Sequence, residues 1–237
     1  MSTKVEKSYK QSKNVYDTVL THNGFWSKLY NSVFWGGVDD NVIAEHCLDY
    51  IKDDFSDQLL DVPVGTAVFT WKKYKTLQSS ATITCLDYSQ DMLDVAHQRL
   101  SGESINVTLL KGDVASLPFD TNSFDIVLSM NGFHVFPDKD KAYSEVHRVL
   151  KPGGKFIACF YIAGKARRAD WLVNWILAPK GWFTGPFDTE ESLRDRLQKD
   201  YDVDDFHVEG SIVYFCATKR QAEPESDSSH STAPPSS

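Results

Sequence analysis

A chain of 237 residues that is 41% apolar is long enough for one domain with extensions and for a sizeable core. Its net charge of -8, with no basic stripe, excludes a nucleic-acid backbone as the natural partner, because an acidic surface repels phosphates. No apolar run approaches the roughly 20 residues of a spanning helix, and the polar start from Met1 to Lys10 has no apolar signal core. A soluble, cytoplasmic protein is therefore expected.

The first 30 residues are polar with interleaved aromatics (Tyr9, Tyr16, Phe25, Trp26, Tyr30) and read as a helical cap over residues 1–34. From Asp39 to Phe55, Val42, Ile43, Cys47, Ile51 and Phe55 fall near helical spacing, with Asp39 or Asp40 as cap. Gln58 to Thr66 is a strand running into a turn, followed by a helical stretch from Ala67 to about Leu77. Ala81 to Leu86 is a β-branched strand ending at Asp87, and Ser89 caps a helix reaching Leu100. Ile105 to Leu110 and Phe124 to Met130 are further strands. Asp138 to Leu150 is a helix stopped by Lys151-Pro152-Gly153-Gly154, and Lys155 to Tyr161 is the fifth strand.

This alternation predicts parallel βαβ units with a sheet buried between two helical layers. The stretch 163–199 breaks the rhythm with Trp171, Trp175, Trp182, Phe183 and Phe187, then a capped helix from Thr189. Strands at about Val203–Val208 and Ile212–Thr218, joined through Gly210-Ser211, predict an antiparallel hairpin. The tail over 220–237 has the Ser, Pro and acidic composition of a disordered segment. The domain itself is expected over 35–219. Cys47, Cys85, Cys159 and Cys216 are far apart, with no CxxC pairing, and are expected to be buried free thiols with no zinc site.

Candidate chemistry sits where strands end. Asp61-Val62-Pro63-Val64-Gly65-Thr66 turns a strand sharply into a helix, exposing backbone N–H groups, and Gly65 permits close approach of a ligand. Asp87 comes about 20 residues beyond the Gly turn, at the next strand end, a placement suited to ribose hydroxyls. Gly112-Asp113-Val114 closes the third strand, where a carboxylate can accept from an exocyclic amine. Ser129 to His134 follows the fourth strand beside the expected switch point, with Asn131 and His134 as polar candidates and His134 as a candidate general base.

Together these pieces resemble the class I S-adenosylmethionine (SAM)-dependent methyltransferases, in particular the small-molecule group that includes the ubiquinone/menaquinone methyltransferases. The resemblance covers about residues 35 to 218. It is carried by Asp61 to Ala67 against the family's Gly-rich turn, by Asp87, and by Gly112-Asp113 followed by Leu117-Pro118-Phe119 and Ser123-Phe124-Asp125. Arg148-Val149-Leu150-Lys151-Pro152-Gly153-Gly154 completes it, looking like the family's marker before strand five. The resemblance implies a Rossmann-like, doubly wound α/β fold with a seven-stranded sheet, mostly parallel, whose C-terminal hairpin is antiparallel. It implies SAM as cofactor, held by Asp61, Pro63, Gly65, Thr66, Asp87, Tyr88, Met92, Gly112, Asp113, Val114 and Asn131. It implies methyl transfer to a small, apolar or aromatic molecule, with Tyr16, Phe25, Trp26, Tyr30, His134, Trp175 and Trp182 at the substrate.

Pro63 and Ala67 stand where the family has its first and third turn glycines. They keep open a SAM-fold binding protein or a SAM-fold enzyme that does not methylate. A dinucleotide-dependent oxidoreductase is the further alternative, but its G-x-G-x-x-G would fall on Pro63, Gly65 and Val68, so two of three positions fail. For the aromatic stretch 163–199, a lid over the substrate, packing on the core and contact with a membrane surface are the three readings.

Overall fold

The computed structural model describes residues 40–102, 105–179 and 183–221. The expected helical cap at 1–34, most of the tail at 220–237, and Tyr16, Phe25, Trp26, Tyr30 and Trp182 lie outside the described residues.

Short apolar strands flanked by amphipathic helices build a seven-stranded sheet. The strands are β1 (Gln58–Asp61), β2 (Thr82–Asp87), β3 (Val107–Lys111), β4 (Phe124–Met130), β5 (Leu150–Tyr161), β6 (Tyr201–Glu209) and β7 (Ile212–Lys219), in the spatial order β3-β2-β1-β4-β5-β7-β6. β1 to β5 pair in parallel, whereas β7 runs antiparallel to both β5 and β6. The chain steps outward from β1 through β2 to β3, then returns to the other side of β1 as β4. That reversal puts a topological switch point between β1 and β4, the place where open α/β sheets bind ligands.

The helices are α1 (Asp40–Asp49), α2 (Trp71–Tyr74), α3 (Gln90–Leu100), α4 (Lys139–Val149), α5 (Arg167–Leu172) and α6 (Glu190–Asp200); a π-helical turn, Val173–Leu177, continues α5. Because strand side chains alternate, neighbours such as Leu59 and Leu60 enter opposite layers, and both are fully buried. One layer holds Ile43, Cys47 and Ile51 near α1, Leu93 and Ala96 of α3, and Ala169, Val173 and Leu177. The other is aromatic, with Phe133, Tyr143, Phe156, Phe160 and Phe215 packed among α4 and α6. All four cysteines are buried and unbridged.

Local signals start three helices. The Ser89 hydroxyl accepts the Met92 N–H (3.4 Å), the Asp138 carboxylate the Lys141 N–H (3.1 Å), and the Thr189 hydroxyl the Ser192 N–H (3.2 Å) within a capping box. Elsewhere the expected boundaries move. α1 stops at Asp49, and Ile51 and Phe55 enter the following turns instead of continuing the helix. The helix expected from Ala67 to Leu77 shrinks to the single turn of α2, because Ala67 is left-handed (φ 56°), a conformation no helix can contain. β5 starts at Leu150, directly after α4, and the Lys151 to Gly154 stretch expected to stop the helix forms an irregularity within the strand. Leu150 pairs with Phe124 and Lys155 with Ile126, so four residues bulge against Asp125 alone.

The residues before that bulge clamp the approach to β4. Arg148 donates to the carbonyls of Phe119 (2.7 Å) and Leu117 (3.0 Å) and to Glu145 (2.7 Å), whose other oxygen accepts the Leu117 N–H (2.7 Å). Arg148→Ala is expected to cost about 1–2 kcal/mol, reduced from the value for fully buried charged bonds because the side chain is partly exposed. Urea unfolding of the variant checks this, and an unchanged midpoint would refute the clamp.

Candidate functional site

The turn after β1 is stitched to both neighbouring strands. The Val62 N–H donates to the Leu128 carbonyl (2.9 Å) and the Val64 N–H to that of Leu86 (3.0 Å). Gly65 then takes a left-handed backbone (φ 55°) with open space where a side chain would stand, so a ligand can reach the main chain there. Its N–H donates to the Asp87 carboxylate (2.9 Å). The Thr66 carbonyl accepts from the Arg99 guanidinium.

Asp87 is expected from the sequence as a ligand-facing acid. In the folded chain it also braces the turn. It is 2% exposed, one oxygen holds Gly65 and the other accepts the Ser89 N–H (2.8 Å). Burial pushes its carboxyl up to about 6, opposed by these backbone donors.

Asp61, at the end of β1, is buried as deeply. Tyr74 donates to its Oδ2 at 2.5 Å, while Oδ1 has no hydrogen-bond partner. Burial lifts this carboxyl to about 7; the nearby Thr70 hydroxyl favours the charged form without forming a hydrogen bond of normal geometry. Ser129 Oγ, at the end of β4 on the other side of the switch point, is also buried without a partner. Unsatisfied polar atoms at such a place suit a polar ligand group.

The raised Asp61 carboxyl makes a pH prediction. The folded chain holds a proton that the unfolded chain releases near pH 4, so this contribution to stability is present in acid and lost as pH rises through about 7. Relative to Asp61→Asn, the wild type should lose on the order of 1–3 kcal/mol between pH 5 and pH 8. Urea melts at both ends of the range measure it; a constant difference would show that Asp61 ionises as in water.

At the carboxyl ends of β1, β2 and β3 lies a cleft open to solvent. Val62 and Pro63 line it after β1, Leu86, Asp87 and Tyr88 at β2, and Gly112, Asp113 and Val114 after β3, with Phe136 and Pro137 completing the wall. Six expected residues therefore come together: Pro63, Asp87, Tyr88, Gly112, Asp113 and Val114. Asp113 accepts the Ala115 N–H (2.9 Å) and stays exposed to the solvent side. Asp61, Gly65, Thr66, Met92 and Asn131 are not on this wall. Met92 packs as a buried residue of α3, and Asn131 takes a left-handed backbone (φ 56°) with its N–H on the Cys159 carbonyl (2.7 Å).

Val62, Leu86, Phe136, Pro137 and the Asp61 partner Tyr74 escape the sequence reading. The first two lie in apolar strand ends that look like ordinary core. The contact of Tyr74 with Asp61 depends on the fold.

His134 does not take the place expected of a general base. It is 2% exposed, its ring stacks on Phe183 (4.3 Å between centroids), and its Nδ1 accepts the Tyr161 N–H (3.3 Å). Burial, helped by Lys139, drives its pKa down to about 3, so the imidazole is neutral and a weak base near neutral pH. It ties the aromatic insertion to the ends of β4 and β5. Tyr161 assists, donating to Asp170 (2.5 Å) and packing edge-on against Phe183 and Phe187. Trp175, expected at the substrate, is 72% exposed and absent from the cleft wall. Among the described residues no helix is long and apolar enough to cross a membrane.

The methyltransferase-domain family matches residues 60–158, from β1 into β5. A demethylmenaquinone methyltransferase from Staphylococcus epidermidis is 38% identical over 116 residues, which is 49% of this chain and 48% of that protein. The chain thus spans about half the length of the curated relatives it matches. Among solved structures, a SAM-dependent methyltransferase from Thermotoga maritima superposes with a TM-score of 0.64 at 17% identity, covering 91% of this chain and all of that one. The [4+2]-cyclase SpnF superposes at 0.65 with 19% identity, over 90% and 96% of the two chains. Residues 60–158 thus carry a region similar to the methyltransferase-domain family, and the chain as a whole has the fold of the solved SAM-dependent methyltransferases it superposes on.

Proposed function

We propose that the chain binds SAM in the cleft above β1, β2 and β3 and transfers its methyl group to a small, apolar or aromatic molecule. The observation that carries this reading is the pairing of an open, glycine-centred turn with the unpartnered, buried Asp61 Oδ1 beside it. These residues fit the cofactor. Asp61 Oδ1 is an acceptor for the ammonium of the amino-acid end, and Gly65 leaves room for that end along the backbone. Asp87 and Asp113 offer acceptors to hydroxyls and to an exocyclic amine. Val62, Leu86, Val114 and Phe136 provide apolar walls for a planar base.

When bound, SAM supplies a methyl group on a positively charged sulfur. The chain's part is to hold the donor in one orientation, bring an acceptor into line and exclude water. With His134 buried and neutral, its role is to position the aromatic insertion rather than to take a proton. The relatives named for demethylmenaquinone support an apolar ring substrate.

A non-methylating SAM-fold enzyme is the second reading. It is favoured by Pro63 and Ala67 in the turn and by the likeness to a cyclase. Calorimetric titration of the full chain with SAM and with S-adenosylhomocysteine tests the binding claim. Incubation with SAM and candidate apolar ring compounds, followed by assay for S-adenosylhomocysteine, tests transfer. Binding with product supports the proposal, and binding without product across the screen supports the second reading. Affinity for NAD with none for SAM would sink both.

A further inference from the structure

We infer that the outer face of α5 and its π-helical continuation is a docking surface for anionic phospholipid bilayers. The inner face of this segment is ordinary core, with Ala169, Val173 and Leu177 all buried. The outer face is unusual. Trp171 is 59% and Trp175 72% exposed, and with Val42 they are the exposed large apolar side chains among the described residues. Arg167 and Arg168 stand one turn before them, exposed and without an ion-pair or hydrogen-bond partner among the described residues. Arg168, Trp171 and Trp175 follow a spacing of three then four, which keeps them on one side of a helix.

The acid of this segment is turned away from that side. Asp170 accepts from Tyr161 (2.5 Å) and from the Gly164 N–H (3.1 Å), and Lys165 pairs with Glu190. Two guanidinium groups without partners among the described residues, beside two exposed indoles, thus form a local cationic, aromatic face on a chain of net charge -8. The complement of this face is a negatively charged partner that can also accept indole rings. A headgroup layer does both, because Trp settles at the polar–apolar boundary and arginine is drawn to anionic lipids. The segment hangs from Tyr161, at the carboxyl end of β5, the edge of the sheet that also bears the cleft. The surface goes beyond the proposed methyl transfer and needs neither SAM nor substrate to be tested.

The test is sedimentation of the full chain with extruded vesicles of phosphatidylcholine alone or mixed equally with phosphatidylglycerol. Binding is expected to the mixed vesicles and to fall at least tenfold on phosphatidylcholine or in high salt. Arg167→Gln/Arg168→Gln and Trp171→Ala/Trp175→Ala should each lower binding tenfold or more while leaving the affinity for SAM, or the melting temperature if SAM does not bind, unchanged. No binding to the mixed vesicles, or equal binding by the variants, overturns the proposal. So does burial of these two indoles in lipid-free protein, read as acrylamide-resistant emission relative to Trp171→Phe/Trp175→Phe; residues 1–39, a second copy or a protein partner would then be the occupant.

Discussion

Replacing Asp87 by alanine is expected to weaken SAM binding by about 10–100-fold and to lower stability by about 2–4 kcal/mol. Both losses have one cause. The carboxylate is buried and accepts the N–H of Gly65 through one oxygen and that of Ser89 through the other. Its removal leaves two donors unsatisfied in a buried place, frees the turn after β1, and loosens the start of α3 behind its Ser89 cap. A carboxylate has lone pairs to spare beyond these two bonds, so it can serve a ligand hydroxyl as well. Asp87→Asn keeps one acceptor and should fall between wild type and Asp87→Ala. Calorimetric titration with SAM and urea unfolding of the three proteins separate the effects. Undiminished affinity in Asp87→Ala would remove Asp87 from the site.

Replacing Gly132 by alanine should be comparably damaging, although Gly132 offers no side chain of its own. Its added Cβ would stand 2.5 Å from Pro63 Cδ, 2.7 Å from the Phe136 ring and 2.8 Å from Ser129 Oγ. Pro63 belongs to the turn, Phe136 to the cleft wall, and Ser129 to the end of β4. Real contacts are essentially never so short, so all three must give or the Gly132 backbone must move. Overpacking of this kind costs about 1–3 kcal/mol, and the movement of Pro63 and Phe136 deforms the cleft. SAM affinity should therefore drop more than tenfold. The contrasting variant is Gly65→Ala, whose methyl group meets nothing in the protein and carries only the left-handed backbone penalty, about 1–2 kcal/mol. Gly132→Ala with full stability and full affinity would mean that the approach of β1 to the loop after β4 is looser than these contacts require.

Features that local chemistry controls are legible in the order of residues. The order of strands and helices, the Ser89 cap, the capped helix from Thr189 and the reversal at Gly210 each depend on residues a few positions apart, and they appear as expected, while Asp138 adds a cap of its own. Because acids and glycines fall at successive strand ends, parallel pairing alone brings Pro63, Asp87, Tyr88, Gly112, Asp113 and Val114 to one edge. Burial and long-range contact emerge only when the layers pack. Tyr74 reaching Asp61, His134 sealed beneath Phe183, and Trp171 and Trp175 left facing outward follow from how layers stack on the sheet. Ala67 breaking its helix and the bulge at Lys151 to Gly154 follow from the turn and strand geometry that the sheet imposes. A histidine after a strand reads alike whether it meets solvent or an aromatic ring, and desolvation, which sets its proton affinity, exists only once the chain has folded.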